Sequence, residues 1–393
     1  MRFLDCIEIN PTIKLEKGKE YPFVEMANVD IYAREPKIVE MKKYSSGVKF
    51  QKGDTIVSRI EPCLQNGKGF YAKNINEGFG STEFLVFRPK NEKTDNDFLY
   101  YLLLTDNIRK NMIGSMTGAT GRQRVNNDIF NSLDLSLPEI EIQKRIAGML
   151  SAYDDLIENN HKQIKLLEEA AMRLYKEWFI NLRFPGYETT KIVDGVPEGW
   201  NKCNLGFYAK VKSGYAFKSS WWKQNGVPVI KIKDIQDNTV NLSQLDCVDM
   251  GNAKKAKDFS VVAGDLLIAM TGATTGKIAI VPIVDDMLVN QRVGKFFLGE
   301  NPIEKLPFLY CTLQEANSYN WALNFANGSA QPNISPTQIE SLEILFSDYF
   351  IGLYNEKMRP SFESIIKLRR LVEKLKQARN TMLPKLISRE IEV

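Results

Sequence analysis

Between Gly114 and Asn127 the chain mixes glycines with Thr117, Thr120, Arg122, Gln123, Arg124 and Asn126. Glycine lets backbone N–H groups come close to phosphate, while Arg, Gln and Asn carry the forked geometry that matches guanine or adenine edges in a major groove. A second polar stretch, from Asn327 to Ser335, offers Ser329, Gln331 and Asn333. Two Gly-Asp turns are each followed by a further polar surface, Ser58, Arg59 and Lys68 in one case and Thr271, Thr274 and Lys277 in the other. Asn290-Gln291-Arg292 stands where an earlier part of the chain has Ser81-Thr82-Glu83. Lys218 and Lys223 beside Trp221 and Trp222, and the run Lys254, Lys255 and Lys257, add charge that positions a protein on phosphate without reading bases. The same residue types also make ordinary turn-rich loops and solvated faces. Trp221 and Trp222, if on a strand, point to opposite sides, one to the core and one outward.

Catalytic chemistry is hard to find. The single histidine, His161, lies on the flank of a helical pattern, so no His-based triad or His/Cys metal cluster is available. Gly272 to Lys277 resembles a phosphate loop but is one residue short and continues with Ile278 in place of Ser or Thr. No Asp/Asn-Pro-Pro-aromatic tetrad and no dinucleotide glycine fingerprint occurs. The reading is a protein with no catalytic residue, no metal and no cofactor of its own. The net charge of +4 is compatible with a polyanion partner and far from that of an indiscriminate DNA binder. Five cysteines without paired spacing, no signal-peptide pattern and no membrane-length apolar run predict a soluble cytoplasmic protein.

The elements that position these residues come twice. Gly53-Asp54-Thr55-Ile56-Val57 returns as Gly264-Asp265-Leu266-Leu267-Ile268, Phe98-Leu99-Tyr100 as Phe308-Leu309-Tyr310, Ser132-Leu133-Asp134-Leu135 as Ser341-Leu342-Glu343-Ile344, and Pro22-Phe23-Val24 as Pro228-Val229-Ile230. Strands are expected at Pro22 to Val29, Thr55 to Ile60 and Phe84 to Arg88, and again at Pro228 to Ile235, Leu266 to Met270 and Val293 to Leu298. Short helices follow at Asp97 to Arg109 and Leu306 to Ala316. Each copy then closes with a long helix. From Pro138 the first seam is predicted through Ile142, Ile146, Met149, Tyr153, Leu156, Ile157, Ile164, Leu167, Ala171, Leu174 and Trp178, with Asn160 intruding. The second runs Ile365, Leu368, Val372, Leu375, Arg379, Met382 and Leu386; Pro360 should start it, and Pro384 should end or kink it, making it the shorter. The predicted class is α+β: two tandem-repeat globular domains separated by two long helices in an antiparallel coiled coil with pseudo-two-fold symmetry. About 30 to 40 helical residues span roughly 45 to 60 Å, so such a pair is a stiff spacer.

Leu167-Glu168-Glu169-Ala170-Ala171, Leu174-Tyr175-Lys176-Glu177-Trp178-Phe179, Phe184-Pro185-Gly186 and Gly195-Val196-Pro197-Glu198-Gly199-Trp200 lead into the second copy, and Arg379 to Ser388 carries the matching ending. In this order and with this period the whole chain resembles the DNA-specificity subunit of a Type I restriction-modification system. The resemblance implies a target-recognition domain at 1–137, a central helical spacer at 138–182, a linker at 183–195, a second target-recognition domain at 196–348 and a C-terminal helical spacer at 349–393. It implies reading of a bipartite, asymmetric double-stranded DNA site, and no membrane association. The partners implied are two methyltransferase subunits acting on adenine N6 and, in the full complex, two restriction subunits. Leu174, Trp178, Phe179, Leu383 and Leu386 are then expected at the partner surface. The competing reading is a protein-interaction scaffold with twin binding domains.

Overall fold

The computed structural model describes residues 1–29, 34–236, 238–243, 245–282, 286–315, 319–321, 324 and 333–392. The chain divides into two compact units, Met1–Ile157 with Leu375–Val393, and Glu158–Lys374. Each has its own cores and its own share of two long helices.

In the first unit a four-stranded sheet runs in the order Ile7–Ile9, Phe84–Pro89, Thr55–Ser58, Gly69–Tyr71, and a second in the order Glu40–Lys43, Glu20–Val24, Glu77–Gly80, Val48–Gln51. In the second unit the corresponding sheets run Lys210–Ser213, Val293–Phe297, Leu266–Ala269, Ile278–Ile280, extended by Thr239–Val240 and Ile235–Gln236, and Trp222–Lys223, Asp246–Val248, Val227–Ile230, Leu288–Val289. The duplication holds at the level of register. Ile56 pairs with Val86 and Phe70, and Leu267 pairs with Lys295 and Ala279. Pro22 pairs with Met41 and Pro228 with Cys247, while the parallel partners are Phe23 with Phe79 and Val229 with Leu288.

The Gly-Asp turns explain why these strands start where they do. Gly53 and Gly264 sit at φ +89° and +90°, and the following aspartate accepts the N–H three residues back, Gln51 to Asp54 and Val262 to Asp265, both at 2.7 Å. Each buried carboxylate is then matched by a cation from the neighbouring strand, Arg88 on Asp54 at 2.7 Å and Lys295 on Asp265 at 2.6 Å. Gly53→Ala is expected to lower stability by about 1–3 kcal/mol, because a side chain at this φ is strained. Its Cβ would also meet Asn96 Nδ2 at 2.6 Å, whereas at Gly264 the nearest atom is 3.5 Å away. Urea midpoints should therefore fall for both alanine variants, and further for the first.

The predicted helix from Asp97 to Arg109 is two helices, Asn96–Leu103 and Asp106–Gly114, broken at Thr105, whose hydroxyl donates to the Leu102 carbonyl at 2.7 Å. The long helices span Ile140–Tyr175, continued by a π turn over Lys176–Ile180, and Asp348–Ile387. Pro360 therefore does not begin the second helix, which runs for 40 residues against 36 in the first and five more in its π turn. Tertiary packing on both sides of the proline, at Tyr354, Phe362 and Ile365, outweighs the one backbone bond it cannot make. Pro384 also lies within the helix, which ends three residues later.

The seam of the first helix keeps the expected Ile146, Ile157, Asn160 and Ile164 and departs from the expected pattern around Met149 and Leu156. Met149 and Leu156 are exposed, and the buried line runs through Ile146, Leu150, Asp154, Ile157, Asn160 and Ile164. In the first unit Asp154 pairs with Arg379 of the last helix and accepts the Tyr101 hydroxyl at 2.6 Å. In the second unit Glu168 pairs with Arg369 at 2.5 Å and accepts the Tyr310 hydroxyl at 2.8 Å, while the Tyr354 hydroxyl reaches the Ala171 carbonyl. Within that unit the two helices run antiparallel, with Ala171 against Tyr354 and the earlier Glu168 against the later Arg369. Burial, then the adjacent carboxylate, pushes both the Tyr101 and the Tyr310 phenols far above their ordinary value, so each remains a donor.

Candidate nucleic-acid interface

In the first unit the polar loop is pinned to the end of strand Thr55–Ser58 by main-chain bonds. Arg59 N–H donates to the Glu83 carbonyl at 2.8 Å, Val125 N–H to the Arg59 carbonyl at 2.9 Å, and Glu61 N–H to the Gln123 carbonyl at 2.9 Å. Thr117 and Arg124 exchange two backbone bonds of 3.0 Å across the loop, and the Glu61 carboxylate accepts Gly121 N–H at 3.0 Å. Gln123 Nε2 donates to the Gly118 carbonyl at 3.4 Å, and the Asn126 side chain accepts Asp128 N–H. A short, backbone-tied loop of this kind presents side chains from a fixed frame.

The structure brings Thr117, Thr120, Arg122, Gln123, Arg124 and Asn126 together on this loop, with all but half-buried Gln123 exposed. Arg59 and Lys68 contribute less. Arg59 is half-buried with its Nη2 3.5 Å from the Val125 carbonyl, and Lys68 Nζ donates to the Met26 carbonyl at 3.1 Å. Glu83 is the residue that the sequence reading left out. It takes Arg124 in a fork, with Nε 3.0 and 2.9 Å from its two carboxylate oxygens and Nη2 2.6 Å from one of them. That hydrogen bond holds the Glu83 carboxyl below its usual range against the opposing effect of partial burial.

The second unit repeats the frame with other side chains. Met270 N–H donates to the Arg292 carbonyl at 3.0 Å, Ile334 N–H to the Met270 carbonyl at 2.9 Å, and Thr271 bridges Asn333 as Ile60 bridges Arg124. Glu83 and Arg292 therefore hold one structural position, and Arg124 and Asn333 another. Gln291, Arg292, Asn333 and Lys277 are exposed, while Thr274 is half-buried with its hydroxyl 3.4 Å from the Ile232 carbonyl. Ser329 and Gln331 lie outside the described residues.

Lys218 lies on an aromatic cluster of Tyr215, Phe217, Trp221, Trp222 and Phe259, whose Tyr215 carbonyl accepts Gln291 N–H at 2.9 Å. Its Nζ is 5.7 Å from the Trp221 ring centre, Lys255 lies 4.8 Å from the same ring, and Lys231 lies 3.4 Å from that of Trp222. Both tryptophans are half-buried, against the expectation of one in and one out. Trp221 ends a 3₁₀ turn and only Trp222 enters a strand, so strand alternation does not apply to the pair.

The expected partner-facing side chains are mostly interior. Trp178 and Phe179 are buried among Tyr175, Phe308 and Tyr354, with the Phe179 and Phe308 rings 4.9 Å apart. Leu383 and Leu386 are buried in the first unit's main core, and Leu174 is half-buried. Among the described residues no cluster of His, Cys, Asp and Glu could hold a metal, and no helix is long and apolar enough to cross a membrane.

A family model described as the Type I restriction modification DNA specificity domain matches residues 5–169 and again 197–346. The MjaVIII specificity subunit of Methanocaldococcus jannaschii, a Type I restriction enzyme component, is 26% identical over 323 residues, covering 81% of this chain and 75% of that protein. The EcoAI specificity subunit of Escherichia coli is 23% identical over 424 residues, covering 85% of this chain and 72% of that protein. The crystal structure of a Type I restriction-modification S subunit from M. genitalium superposes with a TM-score of 0.53 at 15% identity, covering 98% of this chain and 95% of that one, a likeness of fold.

Proposed function

Because this chain belongs to the Type I restriction-modification DNA specificity family, we propose that it is the sequence-reading subunit of such a complex, contacting a bipartite, asymmetric DNA site with one loop frame per domain. The observation that carries this reading is one backbone frame built twice with different side chains at matching positions, Glu83 against Arg292 and Arg124 against Asn333. Two heads of one design with unlike chemistry suit two unlike half-sites. In this reading the candidate contacts are the exposed loop residues together with Lys218 and Lys277, and the paired helices set the separation. The chain performs no catalysis and works in the cytoplasm. It directs two adenine-N6 methyltransferase subunits, and in the full assembly two restriction subunits, to the site. The methyltransferase meets the turns around Leu174 to Phe179 and Met382 to Ile387, through exposed neighbours such as Ile180 in place of the buried side chains.

Co-expressed with its methyltransferase partner, the chain should direct N6-adenine methylation to one two-part motif. DNA affinity of that complex should fall steeply with salt, as phosphate contacts release counterions. A methylome without a new split motif, or affinity indifferent to salt, would instead favour a protein-binding scaffold.

A further inference from the structure

Arg124 is held in an unusual way for an exposed arginine on a polar loop. Its side chain is 46% exposed, yet one edge of the guanidinium, Nε and Nη2, is fully taken up by Glu83, and Nη1 reaches the Arg122 carbonyl at 3.3 Å. A guanidinium carries five N–H donors in a plane. With the carboxylate on the Nε–Nη2 edge and one Nη1 N–H on the Arg122 carbonyl, one N–H of Nη2 and one of Nη1 remain beyond these contacts, the pair that can meet O6 and N7 of guanine. Glu83 is itself fixed, because its carbonyl accepts Arg59 N–H and its own N–H is 3.2 Å from the Ser81 hydroxyl. The equivalent positions of the second unit do not carry such a pair. Arginine stands at the Glu83 position, as Arg292, and asparagine at the Arg124 position, as Asn333.

We propose that Glu83 is a specificity-determining positioning residue: by gripping the side edge of Arg124 it aims the end of that guanidinium at a guanine in the half-site read by the first domain. The inference rests on the DNA-reading function proposed above. Without the carboxylate, Arg124 retains its charge but loses its orientation, so it binds phosphate or any acceptor-bearing base. The first domain then keeps its affinity and loses discrimination at one position.

The test is the methylome of a host lacking other adenine methylation, with the full chain co-expressed with the methyltransferase and genomic DNA as the probe. Glu83→Gln keeps shape and one acceptor oxygen but removes the charge, and Arg124→Lys removes the fork. Both should make the same single guanine of the first half-site degenerate, with discrimination falling about tenfold, within the range of one bidentate contact. The second half-site should not change. A purely structural role for Glu83 would lower methylation of an unaltered motif. That result, or degeneracy at two different positions in the two variants, would overturn the assignment. If the wild-type complex yields no two-part motif, the DNA-reading function falls first, so the two failures are told apart by the wild-type arm.

Discussion

Replacing Arg379 with methionine should destabilise the first unit by about 3–5 kcal/mol, because it removes the cation paired with the buried Asp154 carboxylate. Asp154 is 3% exposed, and it also accepts the Tyr101 hydroxyl, a neutral donor that cannot replace a guanidinium. All five tryptophans, 178, 200, 221, 222 and 321, belong to the second unit, so their fluorescence reports that unit and not the first. Hydrogen exchange provides the complementary readout. Protection should drop around Tyr101 and Asp154 while the tryptophan signal holds. The double variant Asp154→Leu with Arg379→Met should recover part of the loss, and adding Tyr101→Phe should recover most of the rest, since Asp154→Leu leaves the buried Tyr101 hydroxyl without its acceptor whereas replacing every partner by an apolar group is close to neutral. A single Arg379→Met variant with unaltered exchange would show that the pair is solvated and contributes little.

The other large effect concerns the distance between half-sites. Removing one heptad from each long helix, Glu158 to Ile164 and Val372 to Ala378, keeps the faces of both helices in phase and shortens each by about 10 Å. The methylated motif should keep both half-sites and lose roughly three base pairs between them, at 3.4 Å per step. Altered half-sites with the original spacing would contradict the role of the helices as spacer.

The duplication was legible because turns and sheets are set by local chemistry. Gly53-Asp54 and Gly264-Asp265 announce a positive φ followed by a self-capping carboxylate, and registers built on such a turn repeat with it. The helical seam was harder to read. Its line passes through Leu150 and Asp154, a carboxylate that apolar spacing does not count, so the spacing favours Met149 and Leu156, which face solvent. Nothing in a one-dimensional pattern shows that Arg379 lies opposite Asp154. Pro360 misled for a related reason, as a start signal matters only where no packing carries the helix past it. In the candidate site the loop residues were found by type, whereas Glu83 was visible only as the counterpart of Arg292 in the other copy. An acid does not look like a contributor to DNA reading until its arginine is seen beside it.

Main-chain hydrogen bonds tie each loop to its strand: Arg59 to Glu83 and Val125, and Met270 to Arg292 and Ile334. Such ties are indifferent to which side chains hang from them. On the proposed reading, point substitutions at Glu83, Arg124, Arg292 or Asn333 trade one recognised word for another while these main-chain ties persist, so vocabulary changes over an unchanged grammar.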